Sequence, residues 1–469
     1  MTAANQGPAM RRPVVLSPGD ACRLALFGLV LLLFGLAALV GASSATAAPG
    51  DLVKLDTWLP RSDFQKYGEM DLVRGPGGDL WLGVTGSTLS TTNPYEKRIC
   101  VARYSATGAK RWGKMLPTAL EMEYLESFAV DARRNVVIAG SGHSDASHRV
   151  LWEITKLSPT GKRLWTRLLT PPSTTRFPSG PQAIACDSTG SIYVVGTMAR
   201  VATGTDVALV KYSPTGVRKW TRYLNGYQDS ADQGVDVAVD GSGRVYVTGT
   251  VGGFFSGTNI VMARYATTGK RIWRRDWDRA QTDDSAVDLA VSAAGVAVAG
   301  ASADASGFTK GVVLHATPAM AQNAEPVAHV TSITGRSVAW SGVATNASGA
   351  VACGGAVQYG SPTTYFAYAR FRPGAPDAFA WYSSPAGWAS CTDVWLGSDA
   401  TLLAAGTWEA SVDQFCAYLA SDFVAAPDWG AVPVWEGRYD RGHAVVAGSS
   451  RAYVAGEAGD AVGLWTFER

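Results

Sequence analysis

Eight glycines recur along this chain at nearly even intervals, each closing a short run of β-branched, aromatic or small apolar residues. They are Gly86, Gly140, Gly196, Gly249, Gly300, Gly355, Gly406 and Gly456, spaced 54, 56, 53, 51, 55, 51 and 50 residues apart. A period of this length marks one supersecondary unit copied along the chain, which buries its apolar faces only by packing on its own copies. Within the fourth unit, Val235–Asp240 alternates in polarity, Gly241-Ser242-Gly243 turns, and Arg244–Thr250, Ile260–Ala266 and Lys270–Trp277 read as three further strands. The unit is therefore a four-stranded meander.

The turns carry a mechanism. Ser158-Pro159-Thr160-Gly161 and Ser213-Pro214-Thr215-Gly216 stand between the third and fourth strands of their units. Proline at the second position pre-sets φ, and glycine at the fourth accepts a positive φ. Four residues past the turn glycine stands a tryptophan: Trp112, Trp165, Trp220 and Trp273. A ring repeated at one strand position is expected to pack neighbouring sheets together.

The ends of the chain select a ring over an open stack. The last unit has strand-like runs at Ala444–Ala447, Ala452–Gly456 and Val462–Phe467, and lacks a fourth. Val53–Trp58 precedes the first complete unit and reads as the missing strand. Pairing the two closes the array and leaves no long unpaired edge. The expectation is an all-β, single eight-bladed β-propeller over residues 51–469, with 51–59 completing the last blade. Seven blades is the alternative, should the divergent fifth or sixth unit fail to form a blade.

Residues 1–47 read as a signal peptide or an N-terminal membrane anchor. Arg11, Arg12 and Arg23 precede the uncharged apolar run 24–42, and Ala45-Thr46-Ala47 offers a small-x-small cleavage site. The expected location is secreted or cell-surface, with membrane contact only through residues 24–42 if the leader is uncleaved. Without residues 1–47 the chain has 38 basic and 38 acidic residues, a balance that gives no reason to expect a nucleic-acid partner. Cys100, Cys186, Cys353, Cys391 and Cys416 remain, an odd number with no C-x-x-C spacing. That is neither a disulfide framework nor a zinc site, and leaves buried thiols or one or two bridges as the readings.

Two family resemblances rest on these residues. Asp187-Ser-Thr-Gly190 leading into Ser191-Ile-Tyr-Val-Val-Gly-Thr197, followed by Tyr212-Ser-Pro-Thr-Gly216, resembles the bacterial β-propeller repeat family often found in secreted proteins. Leu157-Ser-Pro-Thr-Gly-Lys-Arg-Leu-Trp165 resembles the T-G-K-x-x-W blades of quinoprotein-type propellers. The second group includes quinone-dependent dehydrogenases and a non-enzymatic scaffold lipoprotein of outer-membrane assembly. An enzyme of that kind would imply calcium, a catalytic aspartate and, in many members, a disulfide between adjacent cysteines. This chain has no Cys-Cys pair.

Candidate site residues come from aligning the innermost strands on the glycine markers. The position of Asp236 then holds Asp71, Ser127, Ala183, Asp288, Gly342, Asp393 and His443 in the other units. Asp71, Asp236, Asp288, Asp393 and His443 form an oxygen-rich ring suited to calcium or another hard cation. Small polar residues of a channel wall, bonded to neighbouring backbone or water, are the competing reading. His143-Ser-Asp145-Ala-Ser-His148 could hold a metal or be a solvated loop, and the acidic segment Asp276–Asp284 reads as solvated surface. No Gly-x-Ser-x-Gly, P-loop or H-E-x-x-H motif is present. The leading expectation is a non-catalytic binding or scaffold protein that meets a protein or carbohydrate through its loop face, where Phe254-Phe255 stands in a Gly-rich loop. The alternative is a quinone- or cation-dependent enzyme, a dehydrogenase or glycan-cleaving, with its site at the channel mouth.

Overall fold

The computed structural model describes residues 52–468, apart from 59–63, 89–96, 118–119, 144–149, 173–178, 228–230, 255–256, 280, 322–323, 359–363, 372–377, 383–388, 399–400, 411, 421–428, 432–439, 448–450 and 459–460. The proposed leader, and Asp145 and His148 of the histidine loop, lie outside the described residues. Those described are all-β, with thirty-two strands in eight four-stranded sheets. Numbering runs from β1 (Leu52–Trp58). The sheets β2–β5, β6–β9, β10–β13, β14–β17, β18–β21, β22–β25 and β26–β29 span residues 64–115, 121–169, 180–224, 233–277, 284–331, 337–382 and 389–431. Each is a simple antiparallel meander. The fifth and sixth repeats therefore each make a complete sheet.

The last sheet is different. Its order is β1-β32-β31-β30, where β30 is Asp440–Ala447, β31 is Arg451–Ala458 and β32 is Ala461–Glu468. β1 lies antiparallel to β32, with Leu52 opposite Phe467 and Trp58 opposite Val462. The first strand of each sheet neighbours its counterpart in the next, and β2 (Phe64–Arg74) neighbours β30, so the sheets close into a propeller. The core follows the same ring, since each apolar cluster lies between two sheets. Tyr193, Val207 and Leu209 of the third sheet pack with Val237, Val247, Val261 and Tyr265 of the fourth. Leu72, Leu82 and Tyr104 of the first pack with Ala444, Tyr453 and Leu464 of the last.

The recurring glycine has a steric cause. Each inner strand carries a register shift, such as that between Pro181 and Ala183 in β10 (Gly180–Cys186). The shift turns a backbone carbonyl toward the marker glycine of the second strand. A Cβ at Gly196 would overlap the Gly180 carbonyl, and one at Gly249, Gly300, Gly355 or Gly406 would overlap the equivalent carbonyl in its own sheet.

Three of the four repeat tryptophans join sheets by a hydrogen bond as well as by packing, and Trp273 Nε1 makes none. Trp112 Nε1 donates to Pro159 O (3.0 Å), Trp165 to Pro214 O (3.2 Å) and Trp220 to Thr267 O (3.2 Å). Each acceptor lies in the third-to-fourth-strand turn of the following sheet. Two residues on, Arg167 Nε donates to Gly216 O (2.9 Å) and Arg222 Nε to Gly269 O (2.7 Å), each guanidinium lying over the tryptophan before it. The turn glycines 108, 161, 216 and 269 all have φ between 75° and 83°, a conformation that favours glycine.

Candidate functional site

The inner strands position the proposed acidic ring. The register places Asp71 opposite Gly83, Ser127 opposite Ala139, Ala183 opposite Val195, Asp236 opposite Thr248, Asp288 opposite Ala299, Gly342 opposite Gly354 and Asp393 opposite Ala405. These seven positions are equivalent. The eighth is Ala444, opposite Ala455, and His443 is the shifted residue before it. The connection from Ala447 to Ala452 is one residue shorter than that from Val239 to Val245. Counting back from the glycine marker therefore lands one residue early, and His443 leaves the ring.

The aspartates perform one repeated task. An innermost strand has its outer edge paired and its inner edge open, so its N–H groups need other acceptors. Asp393 Oδ1 accepts from Val394 N and Oδ2 from Val445 N of the next sheet, both at 2.8 Å. Asp288 accepts from Leu289 N (2.8 Å) and, across the sheet boundary, from Val343 N (2.7 Å). Asp236 accepts from Val237 N (2.6 Å) and Leu289 N (3.1 Å), and Asp71 from Phe128 N (3.3 Å). Each carboxyl thus staples its own inner strand to the following one.

Proximity of like charges shows in their acidity. Burial pushes Asp393 up to about 7, and the charges of Asp288 and Asp71 add to it, against the opposing bonds from Val445 and Val394. Burial, reinforced by Asp288, raises Asp236 well above the usual carboxylate range, and burial raises Asp288. Gly342 occupies the gap between Asp288 and Asp393; a Cβ there would stand 3.6 Å from Asp288 Oδ2 and 3.5 Å from Asp393 Oδ1.

Of the residues expected to form a cation site, Asp71, Asp236, Asp288 and Asp393 hold equivalent positions on their inner strands, and His443 does not. The four carboxyl groups accept from backbone N–H donors. Among the described residues no group of three or more His, Cys, Asp or Glu is arranged to hold a metal ion. Cys100, Cys186 and Cys353 are free thiols. Burial pushes Cys186 up to about 12 and raises Cys100 and Cys353, so these three are not activated nucleophiles.

A different cluster lies at the end of the ring where one sheet connects to the next. Tyr227 and Phe254 are 45% and 56% exposed, and their rings meet at 4.3 Å between centroids, tilted 58°. The buried Asp232 holds their two loops together. Its Oδ2 accepts from Gly226 N (2.5 Å) and its Oδ1 from Gly252 N (3.0 Å), while Tyr227 N donates to Gly252 O (2.9 Å). Gly226 is needed there, because a Cβ would overlap Gly252 N. In the next sheet Asp284 takes the position of Asp232, buried, its Oδ2 accepting from Arg279 N (2.9 Å). The acidic segment is thus only partly solvated surface: Asp276 pairs with Arg274 (2.6 Å) and Asp284 is interior. Tyr227 and Asp232 lie in an irregular connection between repeats, and the repeat pattern gave no signal for them.

Comparisons with known proteins give one family match and several structural likenesses. The family described as "Beta-propeller repeat" matches residues 219–250. No curated protein matches the chain. Virginiamycin B lyase from Staphylococcus aureus is similar in structure (TM-score 0.42, 11% identity, 75% of this chain and 98% of that one). So are polysaccharide lyase Uly1 (0.45, 9%, 73% and 89%) and BamB from Moraxella catarrhalis (0.33, 14%, 89% and 100%). Likenesses this distant carry no inference about ligand or chemistry. The chain is an all-β repeat protein of the β-propeller kind, and a β-propeller repeat is matched within it.

Proposed function

We propose that this is a non-catalytic, extracytoplasmic binding or scaffold propeller that meets a protein or carbohydrate partner on the loop face around Tyr227 and Phe254. One observation carries the reading. The channel carboxylates are engaged as backbone staples, whereas a solvent-facing aromatic pair is held in place by a buried aspartate. Exposed aromatic side chains on a preorganised loop are what recognition surfaces use, since they bury large areas at little entropic cost. The export-type leader supports a partner outside the cytoplasm.

The test is capture. Immobilised residues 49–469 are offered a glycan array and a cell-surface protein extract, beside a Tyr227→Ala/Phe254→Ala variant. The reading expects a specific ligand whose capture falls at least about tenfold in the variant, the scale of an interface hot spot. Undiminished capture by the folded variant would move the binding surface elsewhere.

A further inference from the structure

The balanced net charge conceals a one-sided distribution. After the turn glycine of each of the first four sheets stand two exposed basic residues: Lys110-Arg111, Lys162-Arg163, Arg218-Lys219 and Lys270-Arg271. They open the outer strands β5 (Lys110–Met115), β9 (Arg163–Leu169), β13 (Arg218–Leu224) and β17 (Arg271–Trp277). The corresponding strands β21 (Val327–Thr331), β25 (Ala378–Tyr382) and β29 (Trp429–Ala431) contain no lysine or arginine. The four pairs share one rim, because each turn is bonded to the sheet before it through Trp112, Trp165 or Trp220.

Acidic residues at this end do not neutralise the rim. Asp131 is buried against Lys156 at 2.8 Å, and Asp187 and Asp240 accept the N–H groups of their own turns. From Arg111 to Arg271, none of the pair residues forms an ion pair among the described residues. Beside the pairs stand exposed aliphatic side chains: Leu164 (48%), Val217 (53%) and Ile272 (36%).

We infer that this rim adsorbs to an anionic lipid bilayer. Two observations favour a bilayer over a soluble polyanion. Aliphatic side chains alternating with cations suit an interface in which charge meets headgroups and carbon enters the acyl boundary. The chain also enters the ring at this end. Leu52 opens β1 opposite Phe467, which lies opposite Ala452. The adjoining Tyr453 and Arg451 bond Ala106 O and Thr107 O in the first of the basic turns. Nine residues, 43–51, separate Leu52 from the apolar run 24–42. The inference is independent of the loop-face reading, because it concerns the opposite end of the ring.

The experiment is co-sedimentation of residues 49–469, which hold the whole closed ring, with vesicles of phosphatidylcholine alone or with one-third phosphatidylglycerol. Adsorption to the anionic vesicles only, weakening as salt rises, is expected. Each basic side chain near such a surface contributes roughly fivefold. Arg163→Glu/Arg218→Glu should therefore lower affinity at least about 25-fold. Lys97→Glu/Arg279→Glu, the same charge change at the other end, should leave it within about twofold, with circular dichroism confirming both folds. No adsorption at low salt, or equal loss in both variants, overturns the inference. So does retention by soluble polyphosphate without vesicle binding, which would assign the rim to a soluble polyanion.

Discussion

Asp393 offers the sharpest test of the stapled ring. Its folded pKa of about 7 compares with about 3.9 in an unfolded chain. Between those values the folded protein keeps a proton that the unfolded chain has lost. Stability is therefore highest below about pH 4, falls as pH rises, and bears the full cost once pH passes 7. That difference corresponds to roughly 4 kcal/mol, an upper bound because the side chain is not wholly enclosed and solvent screening reduces it. For a chain of this size 1 kcal/mol moves the melting midpoint by about 1 °C. Asn at 393 cannot ionise, and its amide oxygen can still accept one of the two N–H bonds. The assay is the thermal midpoint of wild type and Asp393→Asn at half-unit steps from pH 4.5 to about 8. Wild type should lose up to about 4 °C more than the variant over that range; Asp236, Asp288 and Asp284, all raised, add to the slope that remains, and His315, lowered by burial, opposes it. Identical slopes would show that Asp393 is ionised throughout and would refute the argument from burial and like charge.

Three further outcomes follow from the packing. Lys156→Met strands the buried Asp131 carboxylate and should cost about 3–5 kcal/mol, read by urea unfolding at neutral pH. Burial alone would raise Asp131, but its bonds to Lys156 and Asn135 hold it below the usual range, so the stabilisation from that pair should fade only as pH drops below about 4. Deleting Leu52–Trp58 removes the backbone bonds to β32 and should lower stability by roughly 3–6 kcal/mol, with hydrogen exchange accelerating first in β32; unchanged protection there would refute closure by that strand. Cys100, Cys353 and Cys391 should resist a thiol reagent in the native state and all react in denaturant, and fast native labelling of any of them would contradict its burial.

Much of the fold was legible because the repeat reports local constraints. Proline and glycine in Ser158–Gly161 encode a turn without reference to the rest of the chain, and alternation in Val235–Asp240 encodes a strand with one face inward. Even the marker glycine is a short-range signal, since the carbonyl that excludes a side chain at Gly196 comes from Gly180 in the same unit. Val53–Trp58 could be paired with the far terminus because an antiparallel sheet lacking a strand leaves its edge open.

The functional readings depended on relations between units, where counting along the chain fails. One residue fewer between Ala447 and Ala452 removes His443 from the ring, and only the packed sheets bring Asp393 to the N–H of Val445 in the next one. The Tyr227–Phe254 pair and the basic rim exist only because closure sets irregular connections and successive turns side by side. The sequence by itself determined the meander, its turns and its tendency to stack, since each is set by neighbours within one repeat. The tertiary structure alone decided which carboxylates are used up, which aromatics stay exposed and where charge gathers, because those are properties of surfaces made by two or more units in contact.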